Sequence, residues 1–162
     1  MKENGRTVAV IGGGGRESAL VHKYSQSPHV DRIIAIPGND MMQETSEKPV
    51  VTIPNIKTSD VVEIAILCED QQVSFADIAQ EDAVSWNLKG QLKLYGIDSV
   101  GPDSRAGQIE TNKNVARGLC DVWGLPQPRY NTFDFEYEEY YKKHGRPVLE
   151  SVKEYVGKYP DI

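Results

Sequence analysis

The chain has 162 residues, 39% of them hydrophobic and 26% charged, with a formal net charge of −6. That length holds one domain with a sizeable core, or a domain and part of another, and the acidic balance argues against a general nucleic-acid binder. No apolar run approaches membrane-spanning length, and the start (Met1, Lys2, Glu3, Asn4, Gly5, Arg6) lacks the apolar core of a signal peptide.

Four consecutive apolar residues, Val8, Ala9, Val10 and Ile11, predict a buried parallel strand over residues 7–11. Gly12, Gly13, Gly14 and Gly15 follow without a spacer. Ala19, Leu20 and Tyr24 then recur at helical spacing, so a helix begins near Arg16 or Glu17 and ends at Ser27-Pro28. A strand, a glycine loop and a helix start make an anion site. The first helical N–H groups have no internal partner, and the helix dipole adds partial positive charge there. Gly13, Gly14 and Gly15 would let a phosphate approach the backbone, and Arg16 would add a charge-assisted hydrogen bond. The plainer alternative is a tight turn with no ligand, although four glycines carry an entropy cost that a turn does not require.

Residues 32–36 read as the second strand, and the β-α-β unit should cross over right-handed into a parallel pair. Pro37, Gly38, Asn39 and Asp40 then lie at its carboxyl end, the edge at which open α/β sheets bind ligands. Asn39 is either a donor to a phosphate or ribose hydroxyl, or a turn residue. Residues 40–49 are polar and read as a loop, and 50–53 as a third strand. Ser59 or Asp60 caps a helix that runs to about Glu69, and 74–79 read as a fourth strand. Glu81 follows at that strand's carboxyl end. It either accepts from a ligand hydroxyl or amine, or is an acid favoured at a helix N-terminus.

One helix is expected over 84–95, stopped by Gly96, and a fifth strand over 97–100 before Gly101-Pro102. Two helices follow in 103–125, the second capped by Asn112 and opened by Lys113. After the break at residues 124–128, residues 129–133 read as a strand. In the remainder, Tyr137, Tyr140 and Tyr141 suit the packing of an amphipathic helix. Cys68 and Cys120 form no C-x-x-C and read as free thiols of a reducing cytoplasm, and His22, His29 and His144 have no metal-ligand spacing. The fold class predicted is α/β, with a Rossmann-like parallel sheet.

Two phosphate motifs test the loop. In G-x-G-x-x-G, Gly12 and Gly14 fit, but the third position is Glu17, and the second strand runs into Pro37 where an acidic residue is expected. A P-loop needs Gly-Lys-Ser/Thr, and here Gly15 precedes Arg16-Glu17. Neither a nicotinamide dinucleotide nor a Walker-type nucleotide is the best fit.

The run Ile11-Gly-Gly-Gly-Gly-Arg-Glu-Ser-Ala-Leu20, with Ser27-Pro28 and Pro37-Gly38-Asn39, resembles the N-terminal region of the phosphoribosylamine–glycine ligases (glycinamide ribonucleotide synthetases), which are ATP-grasp enzymes. Ser18 stands where that family usually has His, and Gln80 replaces a usual Pro beside Glu81. The resemblance implies a pre-ATP-grasp domain over 1–103, then linker helices and the incomplete start of an ATP-grasp domain over 104–162. It implies an ATP- and Mg²⁺-dependent ligase that joins glycine to 5-phosphoribosylamine through a glycyl phosphate. Gly13, Gly14, Gly15 and Arg16 would hold the 5′-phosphate, Glu17 would brace the loop or touch the ribose, and Asn39 and Glu81 would orient the sugar and amine. Lys113 would reach the ATP phosphates. The carboxylates that hold Mg²⁺ and the glycine-rich lid are expected beyond Ile162, so the chain reads as a partial enzyme, inactive alone and cytoplasmic. The rival expectations are a non-catalytic phosphosugar-binding domain and a nicotinamide-dinucleotide Rossmann module. The sequence sets no oligomeric state.

Overall fold

The computed structural model describes residues 5–133 and 148–158. They divide into two compact units, 1–116 and 117–162.

The first unit is a five-stranded parallel sheet in the order β3-β2-β1-β4-β5. Its strands are β1 (Arg6–Gly12), β2 (Val30–Pro37), β3 (Val50–Thr52), β4 (Val73–Ile78) and β5 (Asp98–Val100). The helices between them are α1 (Gly15–Ser25), α2 (Asp40–Glu44), α3 (Val61–Asp70), α4 (Glu81–Ser85) and α5 (Leu88–Leu94), and α6 (Ser104–Thr111) follows β5. Alternate residues of a strand face opposite sides of a sheet, so a strand covered on both sides is apolar throughout. β1 behaves this way. Ala9 and Ile11 join Ile34 and Ile36 in one core, with Ile64, Ala65 and Cys68 of α3 and Leu88 and Leu92 of α5. Val8 and Val10 join Ile33 and Ala35 in the other, with Val21 of α1 and Met42 of α2. Each fully buried Ile or Val contributes roughly 1.5–3 kcal/mol, so β1 is the spine of both cores.

Three expectations are corrected. Residues 40–44 are helical rather than loop, because Met42 is buried against the sheet and secures one short turn. The single helix expected over 84–95 is broken into α4 and α5 at Asn87, which takes a left-handed backbone (φ 60°, ψ 43°) that Asn tolerates. Gly90 permits the break, since a Cβ there would lie 2.4 Å from the Asn87 amide nitrogen. Residues 129–133 are irregular rather than a strand.

The second unit begins within α7 (Lys113–Val122) and includes α8 (Val148–Lys158). The start of α7 is capped as its sequence predicts: Asn112 Oδ1 accepts the N–H groups of Asn114 at 3.0 Å and Val115 at 3.3 Å. Within the unit, Gln127 donates to the Arg117 carbonyl and to Asp121, and the Tyr130 hydroxyl donates to Asp121. The Tyr130 ring lies 5.8 Å from the Arg117 guanidinium. Tyr137, Tyr140, Tyr141 and His144 lie outside the described residues.

Candidate functional site

β1 lies between β2 and β4, and the chain moves outward through β2 and β3 before returning to β4 on the other side. The loops after β1, β2 and β4 therefore open at one sheet edge, around the point where strand order reverses. Open α/β sheets place their ligands at such a point. Register agrees, with Gly12 opposite Pro37 and Ile11 opposite Ile78.

The glycine loop is shaped by what packs against it. Gly12 has φ +139°, and a Cβ there would sit 2.5 Å from Glu17 Cγ and 2.8 Å from Gln80 Cγ. A Cβ on Gly13 would come within 2.8 Å of the Gly38 carbonyl oxygen. Both positions need glycine because two other loops press against them. Gly15 is different: a Cβ on it would meet nothing within 4 Å, so the start of α1 faces open space.

Glu17 is buried at 1% exposure beneath this loop. Its Oε2 accepts the Gly14 N–H at 2.6 Å, one half of a capping box at the start of α1. Its Oε1 is buried and has no hydrogen-bond partner among the described residues. Placed here, Glu17 fills the position where a dinucleotide fingerprint needs a third small residue, and the nicotinamide alternative is not favoured.

Arg16 is 64% exposed and bridges two loops at the outer limit of ion pairing, with its Nε 3.8 Å from Glu17 Oε1 and its guanidinium 3.9 Å from Glu81 Oε1. Glu81 is the first residue of α4, immediately beyond β4. Asn39 precedes α2 in extended conformation and links the β1 and β2 loops. Its Nδ2 donates to the Gly13 carbonyl at 2.8 Å and to Ser18 Oγ at 3.0 Å, while its Oδ1 is buried without a hydrogen-bond partner among the described residues. Ser18 Oγ in turn donates to the Gly14 carbonyl at 3.0 Å. Gly13, Gly14, Gly15, Arg16, Glu17, Asn39 and Glu81 thus lie on three adjoining loops. Lys113 opens α7 and is exposed, and among the described residues no hydrogen bond or ion pair joins it to this group.

Two further residues complete the loop. Ser18 lies one turn along α1 from Gly14, so its hydroxyl lines the loop and donates to the Gly14 carbonyl. Gly38, with φ +73°, lets the β2 loop fold against Gly13, and its N–H donates to the Gly12 carbonyl at 3.1 Å. The Pro37-Gly38 pair was the available signal for that turn.

The family model described as "Phosphoribosylglycinamide synthetase, N domain" matches residues 6–110. A "Trifunctional purine biosynthetic protein adenosine-3" of Gallus gallus is 32% identical over 126 residues, 78% of this chain and 12% of that protein. A "Phosphoribosylamine--glycine ligase" of Streptococcus pneumoniae is 30% identical over 142 residues, 86% of this chain and 33% of that protein. Another from Phenylobacterium zucineum is 34% identical over 123 residues, 76% of this chain and 28% of that protein. The chain thus spans a third or less of these relatives. In fold it is similar to the biotin carboxylase domain of Hydrogenobacter thermophilus 2-oxoglutarate carboxylase, with a TM-score of 0.59 and 13% identity, covering 98% of this chain and 41% of that one.

Proposed function

The chain belongs to the phosphoribosylglycinamide synthetase N-domain family, and from that premise we propose that it is the N-terminal portion of an ATP-dependent ligase that joins glycine to 5-phosphoribosylamine in purine biosynthesis. Its task in that reaction is to bind and orient the phosphosugar. Residues 1–103 make the pre-ATP-grasp domain, and 104–162 supply linker helices and the beginning of the ATP-grasp domain. The ligase acts in the cytoplasm on small molecules.

The observation that carries the site assignment is the meeting of Arg16 with Glu81 across the loops after β1 and β4. One cation and several acceptors stand together at the sheet's ligand edge, which suits a molecule that carries a phosphate at one end and hydroxyls and an amine at the other. Arg16 and the open start of α1, with Gly13, Gly14 and Gly15, take the 5′-phosphate. Glu17 braces the loop through the Gly14 N–H. Glu81 and Asn39 orient the sugar and amine. Lys113 reaches ATP.

ATP supplies the activation of the glycine carboxylate, and Mg²⁺ neutralises phosphate charge. Among the described residues, no group of three or more His, Cys, Asp and Glu stands where it could hold a metal ion. We assign the Mg²⁺ ligands to the length of the relatives that this chain does not span.

Two measurements test the reading. Calorimetry should show Arg16→Ala weakening ribose 5-phosphate binding by roughly tenfold or more, the worth of a lost charge-assisted bond. Unchanged affinity removes Arg16 from the site. The chain supplied with Mg-ATP, glycine and freshly generated phosphoribosylamine should release no glycine-dependent ADP beyond background. Excess ADP over protein would show that the active site is built differently.

A further inference from the structure

We propose that Asn39 is a fixed hydrogen-bond acceptor for a hydroxyl or amine of the ligand, held in that orientation by Gly13 and Ser18, and takes no part in holding the phosphate. The proposal rests on the phosphosugar reading and adds the direction in which the ligand lies.

A carboxamide offers two N–H donors on its nitrogen and acceptor lone pairs on its oxygen. Both donors of Asn39 are spent, one on the Gly13 carbonyl at 2.8 Å and one on Ser18 Oγ at 3.0 Å. Ser18 is able to accept because its own proton goes to the Gly14 carbonyl at 3.0 Å. Turning the amide over would set its oxygen against the Gly13 carbonyl, acceptor to acceptor, so the network itself decides which atom is which. What remains is Oδ1, buried and without a hydrogen-bond partner among the described residues. A phosphate dianion presents only acceptors and gains nothing from that atom. A hydroxyl or an amine N–H does.

Glu17 repeats the pattern. Its Oε2 is spent on Gly14, and its Oε1 is the second buried acceptor without a hydrogen-bond partner among the described residues. Buried acceptors are normally satisfied, and an unmet one is costly until a donor arrives. Oε1 lies 3.8 Å from the Nε of Arg16, whose side chain is 64% exposed. The ligand's phosphate therefore lies toward Arg16 and the open start of α1, and its hydroxyls or amine lie toward Asn39.

The test is calorimetry on the whole chain with ribose 5-phosphate, and with inorganic phosphate as its competitor. Asn39→Ala should weaken ribose 5-phosphate by about five- to tenfold while phosphate stays within about twofold. Ser18→Ala, which only loosens the amide, should weaken ribose 5-phosphate by about two- to threefold. Circular dichroism confirms that each variant is folded. Should Asn39→Ala fail to fold, side-chain amide NMR of the unaltered protein decides. The Asn39 amide protons should keep their shifts when phosphate saturates the site, and a large displacement overturns the proposal. Equal weakening of both probes by Asn39→Ala, or no weakening, also overturns it while leaving the phosphosugar reading intact. If the unaltered protein binds neither probe, that reading falls, and this assignment with it.

Discussion

The two units differ in what their described residues bury. In residues 1–116 the strands and the helix faces against them bury two apolar cores, one on each face of the sheet, although Trp86, Leu94 and Ile109 stay exposed. After residue 116, Val148 is the one buried residue among those described, whereas Leu119, Val122, Trp123, Leu125, Leu149 and Val156 are exposed. Among the described residues of the second unit, polar contacts gather around Asp121, with Gln127 and Tyr130 as donors, and Phe133 meets Tyr155 edge to face. Exposed polar contacts contribute little net stability, because water competes for each partner. The candidate phosphosugar site lies wholly in the first unit, on loops anchored by the buried strands β1, β2 and β4. A binding site that must hold several groups in fixed geometry belongs on the unit whose framework is rigid.

The sharpest way to break this contrast is to truncate one apolar residue in each unit. Ile11→Ala removes a fully buried side chain from the central strand. It should cost about 2–5 kcal/mol in urea unfolding, because the packed core cannot close over the lost atoms. Val122→Ala trims a residue that is 79% exposed and should stay within about 0.5 kcal/mol. Equal costs would mean that Val122 is covered in solution.

A smaller effect should come from the polar contact that ties α1 to the sheet. The Tyr24 hydroxyl donates to Asp77 Oδ2 at 2.8 Å, and Asp77 is 9% exposed within β4. Tyr24→Phe leaves that carboxylate without its donor and should cost about 1–3 kcal/mol. Burial, and then the hydrogen bond and charge of Asp77, raise the Tyr24 pKa above its ordinary value of 10.0. A raised folded-state pKa gives stability that is complete below the unfolded value and is lost as pH rises through the folded one. Unfolding midpoints should therefore fall with alkali above about pH 10, and Tyr24→Phe should remove this contribution to the fall. An alkaline slope unchanged in the variant would show that the phenol is not held protonated.

How much of this could be read beforehand depended on whether the signal was local. β1, the glycine loop and α1 were legible because an apolar run, four glycines and a helical repeat occupy one short stretch. The cap on α7 was legible because the Asn112 side chain accepts from residues two and three positions on. The helix over 40–44 was not, since its warrant is the burial of Met42 under a sheet assembled from distant strands. The break at Asn87 was not legible either, because the residues on both sides suit a helix and the left-handed turn depends on room left by Gly90. At the site, residue types pointed to three loops that the fold brings side by side. They could not reveal that Asn39 spends both its donors on Gly13 and Ser18, because that follows from two loops separated by a whole helix and strand.

The smallest expected effect lies in the second unit and tests whether its polar cluster is only local. The Tyr130 hydroxyl donates to Asp121, and that bond raises the Tyr130 pKa above its ordinary 10.0, with a further rise from the Asp121 charge and an opposing one from Arg117. Asp121→Ala removes the acceptor and the charge together. The Tyr130 phenol should then ionise at lower pH than in the unaltered protein, as read from its ring carbon shift in a pH titration by NMR. That measurement separates it from the other seven tyrosines among the eight in the chain. The urea midpoint of the first unit should not move, since the Asp121 carboxylate bonds Gln127 and Tyr130 of its own unit. A shifted Tyr130 titration with an unmoved midpoint places the cluster at the surface, as a local clasp on α7. A midpoint that falls along with the titration would mean that polar contacts in the second unit support the first, and the two units would then have to be treated as one cooperative structure.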